Sequence, residues 1–159
     1  NGWAILGIAL QEEHASGWGP YLARLLHHAE QWAFKASDEN SKPRIADADV
    51  RRRLSRIAID VEVSGLLQNR CAWMADEGQP PITEGPMSKL FSTEALVRAA
   101  EDVIELVGPD ALRSYFEPTA PQGGRFEHLM RFSLGTTIYA GTSEVQRTII
   151  AQRGLGLPR

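Results

Sequence analysis

The feature that most constrains the fold of this chain is an apolar period near 3.6 residues, which fills the stretches between its clustered glycines and prolines. The clearest stripe lies in the middle of the chain and consists of Val50, Leu54, Ile57, Ala58 and Val61. Asp47 or Asp49 can cap the start of this helix, and Gly78 with Pro80-Pro81 ends it. No Asn-Gly or Asp-Gly turn lies between alternating apolar runs, so the sequence does not predict β-hairpins.

Further helices are predicted on both sides of this one. They are a segment from Gly2 to Ser16, a segment that Pro20 opens, a long helix from Pro86 to Val107, a short amphipathic segment from Phe126 to Phe132, and a last helix that starts near Ser143 and ends before Gly154. The polar stretch from Lys35 to Arg44 is an exposed connection. Several long helices with short or medium connections pack most economically as an antiparallel four-helix bundle, so we expect an all-α fold.

Size and charge limit the function classes open to the chain. Its 159 residues correspond to about one domain. The 17 lysines and arginines against 20 aspartates and glutamates give a net charge of −3. That balance argues against a nucleic-acid partner, because nucleic-acid-binding proteins usually carry a basic face. No apolar run approaches the roughly 18 residues of a membrane span, and no signal peptide is visible.

Cysteine and histidine usage bears on the compartment and on metal binding. The lone Cys71 cannot form an intramolecular disulfide, which favours a reducing compartment, and we expect a cytoplasmic protein. His27-His28 does not have the spacing of metal ligands, and no other cluster suggests zinc, so no metal site is predicted.

Two other residue groups have structural interpretations. The tryptophans are interpreted as packing in the core or between helices, with Trp73 beside Met74 in the core. The four of them are Trp3, Trp18, Trp32 and Trp73. The run from Arg51 to Arg53 lies largely off the apolar stripe of its helix, and we interpret it as a solvated face.

The most informative segment runs from Ile138 to Gly156. Ser143 followed by Gln146 fits a capping box, in which the serine hydroxyl accepts from a backbone N–H one turn on and the glutamine reaches back. Gly141 allows a tight turn before this helix and close approach of another molecule. The free N–H groups at the helix start carry about half a positive charge, which suits a phosphate or an electron-rich ring system. A helix cap without any ligand is the alternative, because capping boxes are common.

The residues of this segment closely resemble the C-terminal signature of the flavin-dependent acyl-CoA dehydrogenases. The matching positions are Tyr139-Ala140-Gly141-Thr142-Ser143-Glu144-Val145-Gln146-Arg147, Ile149-Ile150-Ala151 and Gly154-Leu155-Gly156-Leu157-Pro158. Weaker matches elsewhere are Gly2-Trp3, Leu10 to Glu13, Ala72-Trp73 to Gly78 and Ser88-Lys89-Leu90-Phe91. The resemblance implies that residues 1–159 form the C-terminal helical-bundle domain of this family, and that its N-terminal helical domain and middle β-domain are absent from this chain.

The resemblance also implies a reaction, the dehydrogenation of an acyl-CoA thioester to a trans-2-enoyl-CoA in lipid or steroid metabolism. A carboxylate removes the α-proton, and the β-hydrogen leaves as hydride to N5 of FAD. By position, Thr142, Ser143 and Glu144 match cofactor-binding residues, whereas Ala140 and Gly141 match the substrate side. The implied assembly is a homo- or heterotetramer, and the implied electron acceptor is electron-transfer flavoprotein or a similar protein.

The catalytic base does not lie where many members of this family have it. They carry a glutamate immediately before the Gly-Thr of the signature, and this chain has Ala140 there, which cannot accept a proton. A minority of members use a glutamate on the first helix of the bundle, just before an arginine. The stretch Leu10-Gln11-Glu12-Glu13-His14 places Glu13 at that position, so we expect Glu13 to be the base, with Glu12 as a weaker candidate.

Other departures from the family pattern favour an alternative. The usual Arg-x-x-Phe-Gly segment has no equivalent between Glu30 and Arg44. The usual Gln-x-x-Gly-Gly reads Glu105-Leu106-Val107-Gly108-Pro109, which puts a negative charge where an amide normally lies and would repel a phosphate. These departures resemble those of actinobacterial members that act as mixed pairs on sterol-type CoA esters. The alternative is therefore a non-catalytic partner subunit of a heteromeric acyl-CoA dehydrogenase.

Overall fold

The computed structural model describes residues 2, 5, 17–38 and 40–158, and helices dominate this part of the chain. The α-helices are α1 (Gly19–Lys35), α2 (Ala48–Asp76), α3 (Glu84–Val107), α4 (Arg125–Thr136) and α5 (Ser143–Ile149). Short 3₁₀ turns occupy Arg44–Ala46, Pro109–Leu112 and Pro121–Gly124, and a π-helical turn, Ile150–Gly154, continues α5. Within these ranges the β-structure is a single isolated bridge between Ser37 and Pro43, so the predicted all-α class is confirmed. Glu12 and Glu13 lie outside the described residues, as does most of the predicted segment Gly2 to Ser16.

Local chemistry explains where the long helices begin. Pro20 lies in the first turn of α1, where its missing N–H has no helical partner to lose. Asp47 rather than Asp49 caps α2, because the Asp47 Oδ1 atom accepts from the Asp49 N–H at 2.8 Å. The helix α3 begins at Glu84, two residues before the predicted start, and ends at Val107, where Gly108 with its positive φ of 80° stops it.

The helix α4 extends four residues beyond the predicted end at Phe132. Ser133 and Thr136 are buried in this extra turn. The Ser133 hydroxyl donates to the Met130 carbonyl at 2.8 Å, and the Thr136 hydroxyl donates to the Ser133 carbonyl at 2.6 Å. Because each hydroxyl is satisfied within its own helix, both side chains can be buried without contributing to the apolar pattern that predicted the segment.

The core forms around α3, which contacts each of the other four helices. Its inward face is rich in alanine, which lets neighbouring backbones approach closely. The buried core residues are Leu22, Leu25, Ala29 and Ala33 of α1, Val50, Leu54 and Ile57 of α2, Ala95, Leu96, Ala99, Ala100 and Val103 of α3, and Phe126 and Leu129 of α4. These contacts form the predicted helical bundle.

Ion pairs at both ends of α2 and α3 show that the two helices are antiparallel. Near the start of α2, the Arg53 guanidinium contacts Asp102 at 3.0 Å and Glu105 at 2.6 Å, both near the end of α3. At the other end, Arg70 lies 3.5 Å from Glu84. The interpretation of Arg51 to Arg53 as a fully solvated face is wrong for Arg53, whose side chain is only 21% exposed because α3 covers it.

The tryptophans do not all pack as predicted. Trp32 is partly buried against the core, with the Arg44 guanidinium 5.8 Å from its ring centroid. Met74 is buried, but Trp73 is 50% exposed, so its assignment to the core is wrong. The reason is that α2 carries a second apolar stripe on its outer face, and periodicity does not say which stripe faces the core. Trp3 lies outside the described residues.

Within the described ranges, no helix combines the length and the apolar content that a membrane span requires.

Candidate functional site

The connection between α4 and α5 turns sharply before the last helix. We call residues 139–142 the α4–α5 turn. Thr142, with φ −64° and ψ 162°, is the residue that caps α5, and its hydroxyl oxygen accepts from the Val145 N–H at 3.3 Å. The predicted cap, Ser143, is instead the first helical residue, and its N–H donates to the Thr137 carbonyl at 3.0 Å. The cap prediction was therefore one residue too late, because Thr142 is the last residue with extended backbone angles.

Gln146 holds the α4–α5 turn from inside. Its side chain is fully buried, and the Nε2 atom donates to the Ala140 carbonyl at 2.9 Å. A second, longer contact of 3.4 Å reaches the Gly141 carbonyl. Gln146 thus reaches back as a capping-box glutamine does, but it binds the carbonyls before the cap rather than the N–H of Ser143.

Lys89 holds the same turn from α3. Its side chain is among the largest that are fully buried, and the Nζ atom donates to the Gly141 carbonyl at 2.6 Å. A buried ammonium group costs several kcal/mol in desolvation unless it is hydrogen-bonded. The Gly141 carbonyl supplies such a bond, and it ties α3 to the start of α5.

Backbone angles in the α4–α5 turn explain why it needs these anchors. Ala140 has φ 55° and Gly141 has φ 86°, both in the left-handed region. A non-glycine residue in that region is strained by about 1–2 kcal/mol, and such strain persists only where the surroundings hold it. Gln146 and Lys89 accordingly bond the carbonyls of these two residues.

Five of the six predicted site residues, Ala140 to Glu144, lie at the turn and the start of α5 but differ in accessibility, whereas Glu13 lies outside the described residues. Ala140, Gly141 and Thr142 are partly exposed, whereas Glu144 is exposed. Ser143 is buried, and its hydroxyl oxygen has no hydrogen-bond partner among the residues that the structure describes. A buried hydroxyl without a partner is uncommon in a folded protein. The Ser143 hydroxyl therefore has hydrogen-bonding capacity that the described residues leave unused.

Glu144 is a weak candidate for a base. Its own backbone N–H, and then the Thr142 hydroxyl, hydrogen-bond the carboxylate and hold the pKa of Glu144 below its ordinary value. The positive charge of Arg147 acts in the same direction. An anion stabilised in this way binds a proton poorly. Ala140 has no acid–base group, so neither Ala140 in the turn nor Glu144 in α5 offers a good proton acceptor.

Aromatic rings form an apolar wall beside the turn. The ring centroids of Trp18 and Tyr139 are 5.3 Å apart, those of Trp18 and Phe132 are 6.1 Å apart, and those of Tyr21 and Phe132 are 4.7 Å apart. Tyr139 is 41% exposed at the turn itself, and burial of the rest of the ring raises the pKa of its phenol. The turn thus presents an apolar surface next to polar backbone groups.

Sequence reasoning missed the anchoring role of Lys89, although a signal was present. Lys89, Leu96 and Val103 follow one another at intervals of seven residues, and all three are buried. A lone lysine on an apolar stripe indicates a buried cation that needs a partner. The aromatic wall could not be predicted, since its members come from three separate segments.

Glu105 has a counter-ion that the sequence did not predict. Its carboxylate accepts from Arg53 at 2.6 Å, so its charge is partly offset rather than free to repel an anion. Among the residues that the structure describes, no group of three or more histidine, cysteine, aspartate and glutamate side chains is placed to hold a metal ion.

Comparison with known proteins finds a protein family and several relatives that match this chain. The family model described as acyl-CoA dehydrogenase, C-terminal domain, matches residues 2–155. Acyl-CoA dehydrogenase FadE26 of Mycobacterium tuberculosis is 30% identical over 166 residues, which cover 99% of this chain and 40% of that protein. The short-chain specific mitochondrial acyl-CoA dehydrogenase of Homo sapiens is 31% identical over 102 residues, or 64% of this chain and 23% of that protein.

Solved structures agree with these relatives. The ChsE4–ChsE5 complex from Mycobacterium tuberculosis matches with a TM-score of 0.81 and 30% identity, over 89% of this chain and 36% of that one. The FAD complex of PigA matches with a TM-score of 0.73 and 29% identity, over 86% of this chain and 33% of that one. The chain spans 40% or less of the length of these relatives.

We predict that Gly141→Ala destabilises the protein by about 1–3 kcal/mol, because it adds a Cβ in a left-handed conformation. The new Cβ would also lie 2.7 Å from the Gln146 Nε2 atom. The matched control is Gly65→Ala within α2, where a Cβ meets no atom within 4 Å, and it should stabilise the protein by about 0.5–1 kcal/mol. Urea unfolding of both variants measures the difference. Equal stabilities would show that the turn is not constrained at Gly141.

We further predict that Lys89→Met loosens the turn. Loss of a hydrogen bond from a charged donor, about 1.5–3 kcal/mol, should speed amide exchange at Ser143 by roughly 10- to 100-fold. The control Lys42→Met removes an exposed lysine and should leave this exchange unchanged. Hydrogen-exchange NMR or mass spectrometry of residues 139–146 measures the effect, and unaltered protection in Lys89→Met would exclude the anchoring role.

Proposed function

Because this chain belongs to the acyl-CoA dehydrogenase family, we propose that it acts as the C-terminal helical domain of an FAD-dependent enzyme that oxidises an acyl-CoA thioester to a 2-enoyl-CoA. In this proposal, residues 1–159 contribute only the C-terminal domain of such an enzyme. The observation that carries the proposal is the α4–α5 turn, whose carbonyls are bonded from inside by Gln146 and Lys89. Its partly exposed residues are thereby held in one position, which a site that aligns two reactants requires.

The residues at the start of α5 fit a polar cofactor group. Ser143 has a shielded hydroxyl without a partner among the described residues, and Thr142 has a partly exposed hydroxyl. We propose that Thr142, Ser143 and Glu144 contact FAD, which when bound supplies the hydride acceptor. The solved FAD complex of PigA supports the choice of cofactor. The backbone of Ala140 and Gly141 lies on the substrate side in this proposal.

Glu13 is the proposed catalytic base. Ala140 has no ionisable group, and the lowered pKa of Glu144 makes it a weaker proton acceptor than an ordinary glutamate, so we place the base at Glu13, the position that the family resemblance indicates. An ordinary glutamate has a pKa of about 4.3, which is too low for a weakly acidic C–H. Burial beside an apolar substrate raises the pKa of a carboxyl and makes it a stronger base. The sequence predicts a helix from Gly2 to Ser16, and adjacent residues of a helix point about 100° apart, so only one of the two glutamates can face the site and Glu12 is the weaker candidate.

An apolar acyl chain fits the surroundings of the turn. The aromatic wall of Trp18, Phe132 and Tyr139 offers an apolar surface next to the carbonyls of Ala140 and Gly141. We propose that this wall borders the acyl group of the thioester. We also propose that the enzyme is a homo- or heterotetramer that passes electrons to electron-transfer flavoprotein or to a similar acceptor.

A second function is favoured by Ala140 itself. A subunit without a base at this position would serve as the non-catalytic partner in a heteromeric dehydrogenase, and the solved ChsE4–ChsE5 complex is an example of a two-component relative. The two functions differ in the composition of the purified protein. An active assembly that contains only this chain supports the first function. A constant ratio to a paralogue with glutamate at the position of Ala140 supports the second.

We predict that Glu13→Gln in the full-length protein lowers the rate of substrate α-proton exchange at least 100-fold, as expected on removal of a general base. Bound FAD should be retained, because amide and carboxyl groups are similar in size. The matched control is Glu12→Gln, which should exchange at the normal rate. Deuterium incorporation from heavy water measures exchange, and flavin absorbance measures cofactor content. Unchanged turnover in Glu13→Gln would remove this residue from the mechanism.

A further inference from the structure

The outer face of α2 carries an apolar stripe that the bundle does not cover. Ile59 is 62% exposed, Leu66 is 67% exposed and Trp73 is 50% exposed. They follow one another at intervals of seven residues, so they lie on one side of the helix. We call these three residues the outer stripe. Aromatic and large aliphatic side chains at such a spacing are typical of helix pairing.

The outer stripe is symmetric about Leu66. Ile59 and Trp73 lie seven residues before and after it, which is about 10 Å in each direction along the helix. A second copy of α2 that runs antiparallel, with a two-fold axis beside Leu66, therefore brings Leu66 against its own counterpart. The same operation sets Ile59 against Trp73 of the second copy, twice in each pair.

Charges at the ends of α2 favour the same orientation. At the N-terminal end the exposed Arg51, Arg52 and Arg56 outnumber the exposed Asp47 and Asp49, and at the C-terminal end the exposed Asp76 and Glu77 outnumber the exposed Arg70. An antiparallel pair sets the basic end of one copy against the acidic end of the other, whereas a parallel pair sets like charges together. Arg56 lies ten residues before Leu66, and Glu77 lies eleven residues after it. In the antiparallel pair, Arg56 of one copy therefore lies at the same level as Glu77 of the other copy, on the same side of the pair.

The charges on this face are available for a partner. Arg56, Asp76 and Glu77 form no ion pair or side-chain hydrogen bond with any other residue in the described part of the chain. Beside Leu66, an added Cβ on Gly65 would meet no atom within 4 Å, so the surface there is open. The apolar stripe provides the contact area, and the charges select the orientation.

We propose that the outer stripe of α2 is an interface between two copies of this chain, packed as an antiparallel helix pair with its two-fold axis at Leu66. The inference rests on the oligomeric assembly proposed above and adds the surface, the orientation and the register. It also accounts for the exposure of Trp73 beside Leu66 and Ile59 on one face of α2.

One cysteine introduced into the full-length protein tests the register of the helix pair. A residue on a two-fold axis meets its own counterpart, so Leu66→Cys should form a disulfide-linked dimer under mild oxidation. The matched control is Ala72→Cys. Ala72 is also exposed on α2 but points about 120° away from Leu66 around the helix axis, so this variant should remain uncross-linked. The native Cys71 is buried and does not interfere. Equal cross-linking of both variants, or none in Leu66→Cys, would overturn the proposed register.

The orientation is tested by charge reversal. Arg56→Glu and Glu77→Lys should each raise the dissociation constant of the dimer by about tenfold, since an isologous interface contains every pair twice. The doubly reversed variant should return to the original value. Sedimentation equilibrium at low salt measures the assembled mass. Any of three results would overturn the proposal. They are a monomer in all variants, a loss of dimer assembly that the double reversal does not rescue, and assembly only with a different chain. These readouts are masses and cross-links, so they stand apart from any failure of the Glu13 chemistry.

Discussion

The hydrogen bond from the Lys89 ammonium group to the Gly141 carbonyl fixes the α4–α5 turn against the helical core. A fully buried cation is tolerated only where a bond of this quality compensates for lost hydration. The donor lies near the start of the central helix α3, and the acceptor lies just before α5. The bond therefore transmits the position of the packed core to the α4–α5 turn, the segment for which a chemical role is proposed.

The α4–α5 turn is held by side chains of α3 and α5, and its residues 140–142 stay partly exposed. Lys89 and Gln146 both bond backbone carbonyls, and neither uses the Ser143 hydroxyl. The strained angles of Ala140 are maintained by these bonds rather than by a favourable local conformation. In the proposed function, the rigid backbone, the shielded Ser143 hydroxyl and the neighbouring aromatic wall align a cofactor with an apolar substrate.

Much of the fold was predictable because the apolar residues of a packed helix recur about every 3.6 residues along the sequence. The boundaries of α2 and the stop of α3 at Gly108 follow from capping chemistry that individual residues reveal. Where the apolar period gives a wrong helix end or a wrong buried residue, the cause is physical. Buried hydroxyls conceal the end of α4, and a second apolar stripe on α2 makes Trp73 resemble a core residue. The apolar period reports amphipathicity and not which face is inside.

The candidate site was less predictable than the fold, because its contacts join distant segments. The sequence marks the turn through Gly141 but cannot show that Lys89, 52 residues earlier, bonds its carbonyl. The cap at Thr142 instead of Ser143 depends on backbone angles that either residue could have adopted. The residue type at one position therefore predicts the geometry of the site less well than the arrangement of the neighbouring backbone carbonyls does.

The most direct measurement is a crystal structure of the full-length protein purified with its flavin. The expected result is a flavin nucleotide in contact with Thr142 and Ser143, beside a turn that retains the bond from Lys89 to Gly141. A nucleotide bound elsewhere, with this turn covered by other protein segments, would contradict the proposed role of the α4–α5 turn.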